Sequence, residues 1–340
     1  MKKTRKALIL INVGTPDSPD KRPVRRFLRE FLNDKRVIDL PWLFRKILVN
    51  LIIIPFRVSK STALYKRLWT EQGSPLLIYA DSLVERLKDL SKENVNIYYA
   101  MRYGKPSLKS VLNTILENKY EEIVVLPLYP QFADSTTGSV NEIVVGFRPL
   151  SGNTEIKIID QFWSHPAFIE SFVKLIKKHP LHEYDHVVFS YHGLPLRQIN
   201  KIHKEHDSRR CICDIEMPPW GHHCYKAACY GTTRLLTERL SLEEGQYSTS
   251  FQSRLSRNWL SPFTDEALVK LAREGKKKVL VVAPSFVTDC LETIIEIGED
   301  YKKTFLEQGG SELTLVESLN DSSSWADAIL KISKLQDMDY

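Results

Sequence analysis

Residues 187–195 read Val187-Val188-Phe189-Ser190-Tyr191-His192-Gly193-Leu194-Pro195, an apolar run that stops at a histidine and a Gly-Leu-Pro turn. The run is short, rich in apolar residues and not alternating, which is typical of a strand buried on both faces of a parallel sheet. Open α/β sheets place their functional groups just past the carboxyl ends of such strands. The pattern therefore predicts a core strand that carries His192 to a functional site.

Seven further apolar runs have the length and composition of buried strands, and amphipathic helical stretches separate most of them. These runs are Ala7–Val13, Val95–Ala100, Ile123–Leu128, Glu155–Ile159, Tyr247–Gln252, Lys278–Ala283 and Glu312–Glu317. Alternation of this kind predicts parallel sheets with right-handed crossovers. Eight strands over this length favour an α/β fold with two four-stranded sheets.

The chain has 340 residues, which is too long for one ordinary core and favours two domains. We expect residues 1–130, together with a closing helix in 325–340, to form one domain and residues 131–324 to form the other. With 43% apolar residues, 26% charged residues and a net charge of +6, the composition is that of a globular protein with a mildly basic surface. No nucleic-acid-binding module is evident, so we expect no nucleic-acid partner.

The first apolar run is too short for a signal peptide and ends in Gly-Thr-Pro-Asp, which favours a cytoplasmic protein. We expect no stretch long enough to span a bilayer, because the nearest, Leu40–Phe56, contains Arg45, Lys46 and Pro55. That stretch has two interpretations. It is either a core helix or an apolar lip over a pocket, with basic residues that meet lipid headgroups.

A run of acidic residues follows the predicted strand Lys278–Ala283. Asp289, Glu292, Glu296 and Asp300 are three or four residues apart, so a helix would put them on one face. Such a face either points to solvent or binds cations through carboxylate oxygens. If the two strands are neighbours, His192 faces these carboxylates.

Four of the five cysteines fall within nineteen residues, in the pattern Cys211-x-Cys213-x10-Cys224-x4-Cys229. In a cytoplasmic chain this clustering points to metal rather than to disulfides. Four thiolates at these spacings could ligate Zn²⁺ or a [2Fe–2S] cluster, and unligated thiols in a loop are the alternative. We interpret His222 and His223 as bystanders and Cys290 as an ordinary buried thiol.

Nine sequence fragments, in order along nearly the whole chain, resemble those of the ferrochelatases, which insert Fe²⁺ into a porphyrin to complete haem. The fragments are Asn12-x-Gly14-Thr15-Pro16, Gly73-Ser74-Pro75-Leu76, Met101-Arg102-Tyr103-Gly104-x-Pro106, Pro127-Leu128-Tyr129-Pro130-Gln131, Ser135-Thr136-Thr137-Gly138-Ser139, Ser190-Tyr191-His192-Gly193-Leu194-Pro195, Phe251-Gln252-Ser253-Arg254, Trp259-Leu260-x-Pro262 and Pro284-x-Phe286-x-x-Asp289-x-Leu291-Glu292-Thr293.

The resemblance implies two Rossmann-like domains with the porphyrin between them, and a lyase that converts protoporphyrin IX and Fe²⁺ into protohaem. It implies His192 as the active-site histidine, Glu292 as its carboxylate partner and Asp289, Glu296 and Asp300 as an iron path. Whether His192 takes pyrrole protons or ligates iron stays open. The implied porphyrin-binding residues are Val13, Arg102, Tyr103, Tyr129, Phe251 and Trp259. Residues 40–56 would form a lip that meets the membrane.

Three departures refine the expectation. The last residues carry no cysteine, and Asp134 stands where members with a carboxy-terminal cluster have their remaining cysteine. The cysteine insertion at 199–230 instead resembles a bacterial subgroup with an internal segment that holds a [2Fe–2S] cluster, so we expect that cluster, with structural zinc as the alternative. Val13 replaces the tyrosine typical of the branch that uses coproporphyrin III, which favours protoporphyrin IX.

Four other functions remain as alternatives. They are a coproporphyrin III ferrochelatase, a cobalt or nickel chelatase for a sirohydrochlorin-type ring, an iron–sulfur electron-transfer or iron-sensing protein, and a non-catalytic porphyrin or haem carrier. The expected partners are protoporphyrin IX, Fe²⁺, a membrane surface and the preceding porphyrinogen oxidase. The expected location is the cytoplasm, peripheral to the inner face of the membrane.

Overall fold

The structure is a computed structural model that describes residues 5–91, 94–203, 208–209 and 211–335. All eight predicted strands are present, and each lies within two or three residues of its predicted bounds. The strands are β1 (Lys6–Asn12), β2 (Val95–Met101), β3 (Glu122–Pro127), β4 (Glu155–Ile158), β5 (His186–His192), β6 (Tyr247–Gln252), β7 (Lys278–Val282) and β8 (Glu312–Leu315).

The strands form two parallel sheets, in the orders β2-β1-β3-β4 and β6-β5-β7-β8. The prediction of two four-stranded parallel sheets is therefore confirmed. Each sheet has the same order: its first strand lies inside, its second on one side and its third on the other. In such sheets ligands bind beyond the carboxyl ends of the strands where the order reverses, which here means β1 with β3 and β5 with β7.

Helices flank both sheets in the described part of the chain. The α-helices are α1 (Lys21–Leu32), α2 (Trp42–Ile47), α3 (Ile54–Leu68), α4 (Pro75–Leu90), α5 (Leu108–Glu117), α6 (Ser139–Phe147), α7 (Pro166–Ile176), α8 (Leu196–Asn200), α9 (Tyr225–Leu240), α10 (Thr264–Arg273), α11 (Lys302–Glu307) and α12 (Ser323–Ile332). Three segments are π-helical, namely Leu48–Ile53, Asp134–Gly138 and Leu291–Tyr301.

The chain divides into two compact units, but not at the predicted boundary. Residues 133–161 belong to the first unit, which also contains 321–340, whereas 130–132 and 162–320 form the second. The reason is that β4 pairs with β3, from Glu122 opposite Glu155 to Val125 opposite Ile158. The expected return of the closing helix is observed, because α12 packs on α4 in the first unit.

Each sheet has its own core. The first is built on alternate residues of β1, such as Ala7, Ile9 and Ile11, packed against α5 and α6. The second is built on β5 and β7, with α10, α11 and β8 around them. β5 is buried along nearly its whole length, as the non-alternating pattern predicts. The strand that carries His192 is therefore a fixed element of the second core.

The stretch after α1 is longer and more regular than its sequence suggests. Residues Trp42–Leu68 form one helix of 27 residues with a mean hydropathy of 1.5 in its most apolar window. Pro55 lies where the π-helical segment Leu48–Ile53 passes into α3, so the helix continues through it with a change in hydrogen-bond pattern. By length and composition alone, this helix could cross a bilayer, which corrects the expectation that no stretch is long enough.

Candidate active site

His192 is the last residue of β5, and its ring is oriented by its own loop. Nδ1 lies 2.6 Å from the carbonyl oxygen of Gly193. Since a carbonyl only accepts, Nδ1 must carry the proton and donate it. In the neutral ring, the lone pair is then on Nε2, which is the nitrogen available to a proton or a metal ion.

Aromatic side chains flank this imidazole. The ring centroids of Trp259 and Phe286 lie 6.4 and 6.2 Å from that of His192. The loop that follows has no room for a side chain, because a Cβ on Gly193 would lie 2.8 Å from the Gln252 carbonyl oxygen and 3.4 Å from the Trp259 ring. The sharp turn after the histidine therefore needs glycine for close approach.

A single glutamine connects His192 to the acidic helix. Gln252 is opposite His192 in the β5–β6 ladder. The Ser190 hydroxyl donates to its Oε1 at 2.9 Å, which directs its Nε2 to the backbone carbonyl of Glu292 at 2.9 Å. The beginning of the helix after β7 is thus fixed beside the end of β5, at the point where the order of the second sheet reverses.

The acidic helix is π-helical from Leu291 to Tyr301, rather than α-helical as the spacing suggested. A π-helix is hydrogen bonded from i to i+5 and has a wider turn, so residues four apart still fall on one side. Glu292, Glu296 and Asp300 have this spacing. The exposed fraction of these residues rises along the helix. Glu292 and Glu296 are half-buried, and Asp300 is exposed. Burial and then the Glu292 charge raise the pKa of the neighbouring Cys290 thiol.

Glu296 is held by four hydrogen bonds. Ser253 donates its backbone N–H at 2.9 Å and its hydroxyl at 2.5 Å. Tyr301 donates its hydroxyl at 2.6 Å and Gln252 its amide at 3.3 Å. A carboxylate offers about four acceptor positions, so these donors occupy all of them. Burial first, and then the charge of Glu296, raise the pKa of Tyr301, which keeps that hydroxyl protonated as a donor.

Asp289 does not lie on the acidic face. It precedes the helix, is 7% exposed and accepts hydrogen bonds from the Thr293 hydroxyl at 2.9 Å and the Asn320 amide at 2.8 Å. The backbone N–H of Ser318 donates to it as well, at 3.3 Å. Its hydrogen bonds place it at the joint between the helix and the segment after β8.

The sequence analysis gave no role to Gln252, Ser253 or Tyr301, although two of them stand in a quoted fragment. Ser253 has a φ of 62°, in the left-handed region that non-glycine residues rarely adopt. Such strain is typical of functional sites. Here it allows both the backbone N–H and the hydroxyl of Ser253 to reach Glu296. No local sequence pattern signals this conformation.

Two predicted porphyrin-binding residues of the second unit have different environments. Trp259 is half-buried and pairs with Pro195 through an isolated bridge, so its ring lies near His192. Phe251 is fully buried and packs against Tyr191 and Tyr230, with centroids 6.4 and 6.1 Å away. Phe251 is therefore part of the core of this unit.

The other predicted porphyrin-binding residues follow the first three strands of the first sheet. Val13 follows β1, Arg102 and Tyr103 follow β2, and Tyr129 comes two residues after β3. The backbone N–H groups of Arg102 and Tyr103 bond to the carbonyls of Asn12 and Val13, at 2.8 and 2.9 Å, so the loops stay together. These four residues therefore gather at the carboxyl edge of the first sheet.

A buried carboxylate organises that edge. Asp34 pairs with the Arg102 guanidinium and accepts hydrogen bonds from Ser139 at 2.5 Å and Tyr103 at 2.9 Å. Burial raises the pKa of Asp34, but the Ser139 hydroxyl, the Arg36 backbone N–H and the Arg102 charge outweigh it, so the pKa lies below its usual value. Burial raises the pKa of Tyr103 and Tyr129. Arg102 also lies over the Tyr103 ring, at 4.4 Å.

The cysteine segment forms a compact donor set that differs from the predicted one. The ligand atoms of His203, Cys211 and Cys213 all lie within 4.8 Å of one another. Cys224 Sγ lies 2.9 Å from His203 Nε2 and 4.0 Å from Cys213 Sγ. A hydrogen bond from Cys213 and the nearby His203 lower the pKa of Cys224 to about 6, against the effect of burial. The set could hold a metal ion, and it includes a histidine that the sequence analysis did not consider.

Solved structures of chelatases share this fold. SirB from Bacillus subtilis with Fe³⁺ aligns with a TM-score of 0.56 over 97% of this chain and 95% of SirB. The sirohydrochlorin chelatase SirB from Bacillus subtilis subspecies spizizenii, in complex with cobalt, aligns with a TM-score of 0.54 over 97% and 94%. Both are 11% identical in sequence. The likeness is one of fold, and it makes the architecture that of the chelatases.

Sequence similarity is much higher to one group of enzymes. The Ferrochelatase family model matches residues 5–336. Ferrochelatases of Coxiella burnetii (strain CbuG_Q212) and Legionella pneumophila (strain Lens) are each 41% identical, over 96% of this chain and 92% and 98% of their own lengths. That of Pseudomonas fluorescens is 39% identical over 96% of both chains. The chain belongs to the ferrochelatase family, whose members are porphyrin metal chelatases of the lyase class.

Proposed function

We propose that this protein inserts Fe²⁺ into protoporphyrin IX and releases two protons to form protohaem, in the last step of haem synthesis. One observation carries the proposal: His192 is oriented by the Gly193 carbonyl so that its Nε2 lone pair is available at the carboxyl edge of the second sheet. The acidic helix begins beside it, fixed through Gln252.

Metallation replaces two pyrrole N–H protons by one Fe²⁺, so the site must accept protons and bind a dication. The Nε2 lone pair of His192 can accept a pyrrole proton as a general base. The same lone pair could instead ligate the incoming ion, and both interpretations use the same nitrogen. Trp259 and Phe286 beside the imidazole offer flat apolar faces against which a porphyrin could pack.

The carboxylates take separate roles in this proposal. Glu292, the second residue of the helix, is the partner of His192 and guides iron or carries protons away, and the exposed Asp300 continues that path towards solvent. Glu296 has its acceptor positions filled, so it fixes the loop after β6 to the helix. Asp289, which is buried and bonded, is left out of the path.

The choice of protoporphyrin IX rests on Val13. A valine at the carboxyl edge of the first sheet is small and apolar, and it is only half-buried. An apolar wall suits a ring that carries vinyl groups better than one that carries additional propionates, whose charge is costly to desolvate. In the proposal, the half-buried Tyr129 extends this wall, while Arg102 and the buried Tyr103 stand at the same edge of the sheet.

Anaerobic metallation with two porphyrins tests the substrate. We expect porphyrin fluorescence to fall faster with protoporphyrin IX than with coproporphyrin III at equal Fe²⁺. Val13→Tyr should lower the ratio of the protoporphyrin IX rate to the coproporphyrin III rate or reverse the preference. Val145→Tyr, at an exposed valine on α6, should leave this ratio unchanged. A faster reaction with coproporphyrin III in the unchanged protein would contradict the assignment. Tight binding of both rings without metallation would favour a carrier.

Membrane contact is part of the same proposal, with the protein in the cytoplasm at the inner face of the membrane and the porphyrin delivered by the preceding porphyrinogen oxidase. The helix Trp42–Leu68 exposes several large apolar side chains. They include Trp42 (65% exposed), Phe44 (66%), Leu51 (69%) and Phe56 (83%). An apolar face of this kind suits the acyl region of a lipid surface. Arg45, expected to meet headgroups, is buried and donates to the Leu40 carbonyl at 2.7 Å.

Vesicle cosedimentation tests the membrane contact. Replacing Phe44, Leu51 and Phe56 by serine should weaken binding to phosphatidylglycerol vesicles by more than about tenfold, because each apolar side chain contributes about 1.5–3 kcal/mol when buried. Leu150→Ser, at a side chain that is 68% exposed elsewhere on the first unit, is the matched control and should have no effect. Equal binding of all variants would remove this surface from the proposal.

The expected [2Fe–2S] cluster requires four thiolates, and their arrangement gives it little support. Cys211, Cys213 and Cys224 lie with His203, whereas Cys229 is fully buried on α9 beside Tyr225. We therefore derive no chemical step through a cluster.

A further inference from the structure

The segment between α8 and α9 has little else to hold it in place. Among its described residues there are only two 3-10 turns, Ile212–Asp214 and Gly221–His223. Ile215 is 74% exposed and Trp220 is 37% exposed, so the segment covers little apolar surface of its own. Chain segments that cannot build a core are usually fixed by disulfides or by a metal ion. Yet Cys213 and Cys224 are fully buried in it, as free thiols.

The donor atoms form a set suited to one ion. Cys213 Sγ lies 3.9 Å from His203 Nε2 and 4.0 Å from Cys224 Sγ, and the donor atoms of Cys211, Cys213 and His203 lie within 4.8 Å of one another. Tetrahedral zinc places its ligand atoms about 3.5–3.8 Å apart, as follows from Zn–S of about 2.3 Å and Zn–N of about 2.0 Å. Three thiolates and one imidazole are an established structural zinc set. A two-iron cluster would hold its ligands in two separated pairs.

A buried lysine provides independent support. Lys226 is 6% exposed and donates to Cys211 Sγ at 3.4 Å and to the Ser208 carbonyl at 3.2 Å. A buried ammonium is costly without a negative partner. Of these two described hydrogen-bond partners, only the Cys211 thiol can ionise to supply that charge. Three thiolates carry three negative charges, which one Zn²⁺ and the Lys226 ammonium balance.

The first turn of α9 also favours a negatively charged sulfur at Cys224. Cys224 is the N-cap of α9, and the backbone N–H of Ala227 points to its Sγ at 3.5 Å. The helix dipole favours a negative charge at this position. His203 adds a buried imidazole whose Nε2 faces the thiols. Its ring packs edge-on against Trp220, with centroids 4.6 Å apart.

Cys229 lies outside this set. It is fully buried one turn further along α9, and burial raises the pKa of its thiol. Its described neighbours there include the buried Tyr225 and Tyr191 as well as Cys224. It has the surroundings of an ordinary buried thiol.

We propose that Cys211, Cys213, Cys224 and His203 bind one structural Zn²⁺ and that Cys229 is not a ligand. The ion fastens His203 and residues 211–224 to the amino end of α9. The residue after Cys224 is Tyr225, whose hydroxyl donates to the backbone carbonyl of His192 at 2.8 Å. The metal centre thus supports the loop that carries the active-site histidine. The inference concerns metal content and does not depend on the proposed reaction.

Metal analysis of the full-length protein tests this. Protein purified under reducing conditions should be colourless and contain about one zinc per chain, and Cys213→Ser and His203→Ala should lose it. Cys229→Ser, a matched change at a neighbouring buried cysteine, should keep it. Lys226→Met should weaken zinc binding about 10–100-fold, as removal of a supporting hydrogen bond does.

X-ray absorption at the zinc edge tests the proposal on the unchanged protein, so its result does not depend on whether the variants fold. The unchanged protein should show three sulfur ligands at about 2.3 Å and one nitrogen ligand at about 2.0 Å. Two irons with labile sulfide, retained in His203→Ala and lost in Cys229→Ser, would overturn the proposal in favour of the four-cysteine cluster. Four sulfur ligands on zinc, or protein without bound metal, would overturn it as well.

Discussion

The imidazole of His192 donates its Nδ1 proton to the Gly193 carbonyl, so one backbone hydrogen bond determines which ring nitrogen is basic. Local hydrogen bonds likewise give Glu292 and Glu296 different surroundings, although the two residues lie four apart on one side of the same helix. Glu296 is saturated by donors from the loop after β6 and from Tyr301, whereas Glu292 stands near the amino end of the helix, where the dipole favours its charge.

We therefore expect Glu296→Gln to lower activity because it moves the acidic helix, and not because it weakens iron binding. The new amide would face donors at Ser253 and Tyr301, which costs about 1–3 kcal/mol of unfolding free energy. The helix start would shift relative to His192, and kcat should fall by about 10²-fold. Urea unfolding and steady-state metallation measure the two effects. Glu299→Gln, on the exposed side of the same helix, is the control. A raised KM for Fe²⁺ with unchanged stability would instead mean that Glu296 is an iron ligand.

For a single residue, the sequence predicts its place in the fold better than it predicts the hydrogen bonds around its side chain. The apolar run before His192 is enough to place it at a strand end. The saturation of Glu296 could not be predicted, because its donor Ser253 is 43 residues away in sequence and needs a left-handed backbone. His203 was missed for a related reason: its proximity to Cys224 arises from a chain reversal across 21 residues.

At the scale of elements, the loops at the carboxyl edge of the first sheet are joined by Asp34. It follows α1 and connects the Arg102–Tyr103 loop after β2 to Ser139 at the start of α6. Its side chain is 8% exposed, and that of Arg102 is 15% exposed. Loss of either partner would leave a largely buried charge, which is more costly than loss of a surface pair.

Asp34→Asn should be less stable than the unchanged protein by about 3 kcal/mol at pH 7. The pKa of Asp34 is lowered in the folded state, so its contribution is complete above its usual value of 3.8 and is lost as the pH falls through the folded value. The difference in unfolding free energy between Asp34→Asn and the unchanged protein should therefore become smaller below about pH 4. Urea unfolding at pH 7 and at acid pH measures it. Asp17→Asn, which breaks the exposed pair with Arg26, should have almost no effect. A difference independent of pH would contradict this role.

Helix type and continuity were harder to predict than helix position. The spacing of Glu292, Glu296 and Asp300 predicts a helix with these residues on one face, and the 11 residues Leu291–Tyr301 are helical but π-helical. Both forms place residues four apart on one side, so the pattern of apolar and acidic residues cannot distinguish them. Arg45, Lys46 and Pro55 were expected to make the stretch Leu40–Phe56 too interrupted to span a bilayer, yet Trp42–Leu68 is one apolar helix with Pro55 at the start of α3.

For the whole molecule, the two sheets share one strand order without any evident repeat in sequence. Their predicted strands were confirmed because buried parallel strands have a strong local signal. The predicted boundary between the units was displaced, because β4 can join either sheet as far as its own sequence shows. Only its pairing with β3 assigns residues 133–161 to the first unit. The shared order also places Val13, Arg102, Tyr103 and Tyr129 just beyond the strands of the first sheet and His192 at the carboxyl end of β5 in the second, whereas Phe251 is a buried residue within β6.

The most direct test of the account is anaerobic insertion of Fe²⁺ into protoporphyrin IX by the unchanged protein and by His192→Ala. We expect the rate to fall by about 10²–10⁴-fold, the usual contribution of a positioned proton acceptor, with porphyrin binding retained. His182→Ala, at an exposed histidine before β5, should react at the unchanged rate. Metallation by His192→Ala as fast as by the unchanged protein would contradict the assigned site.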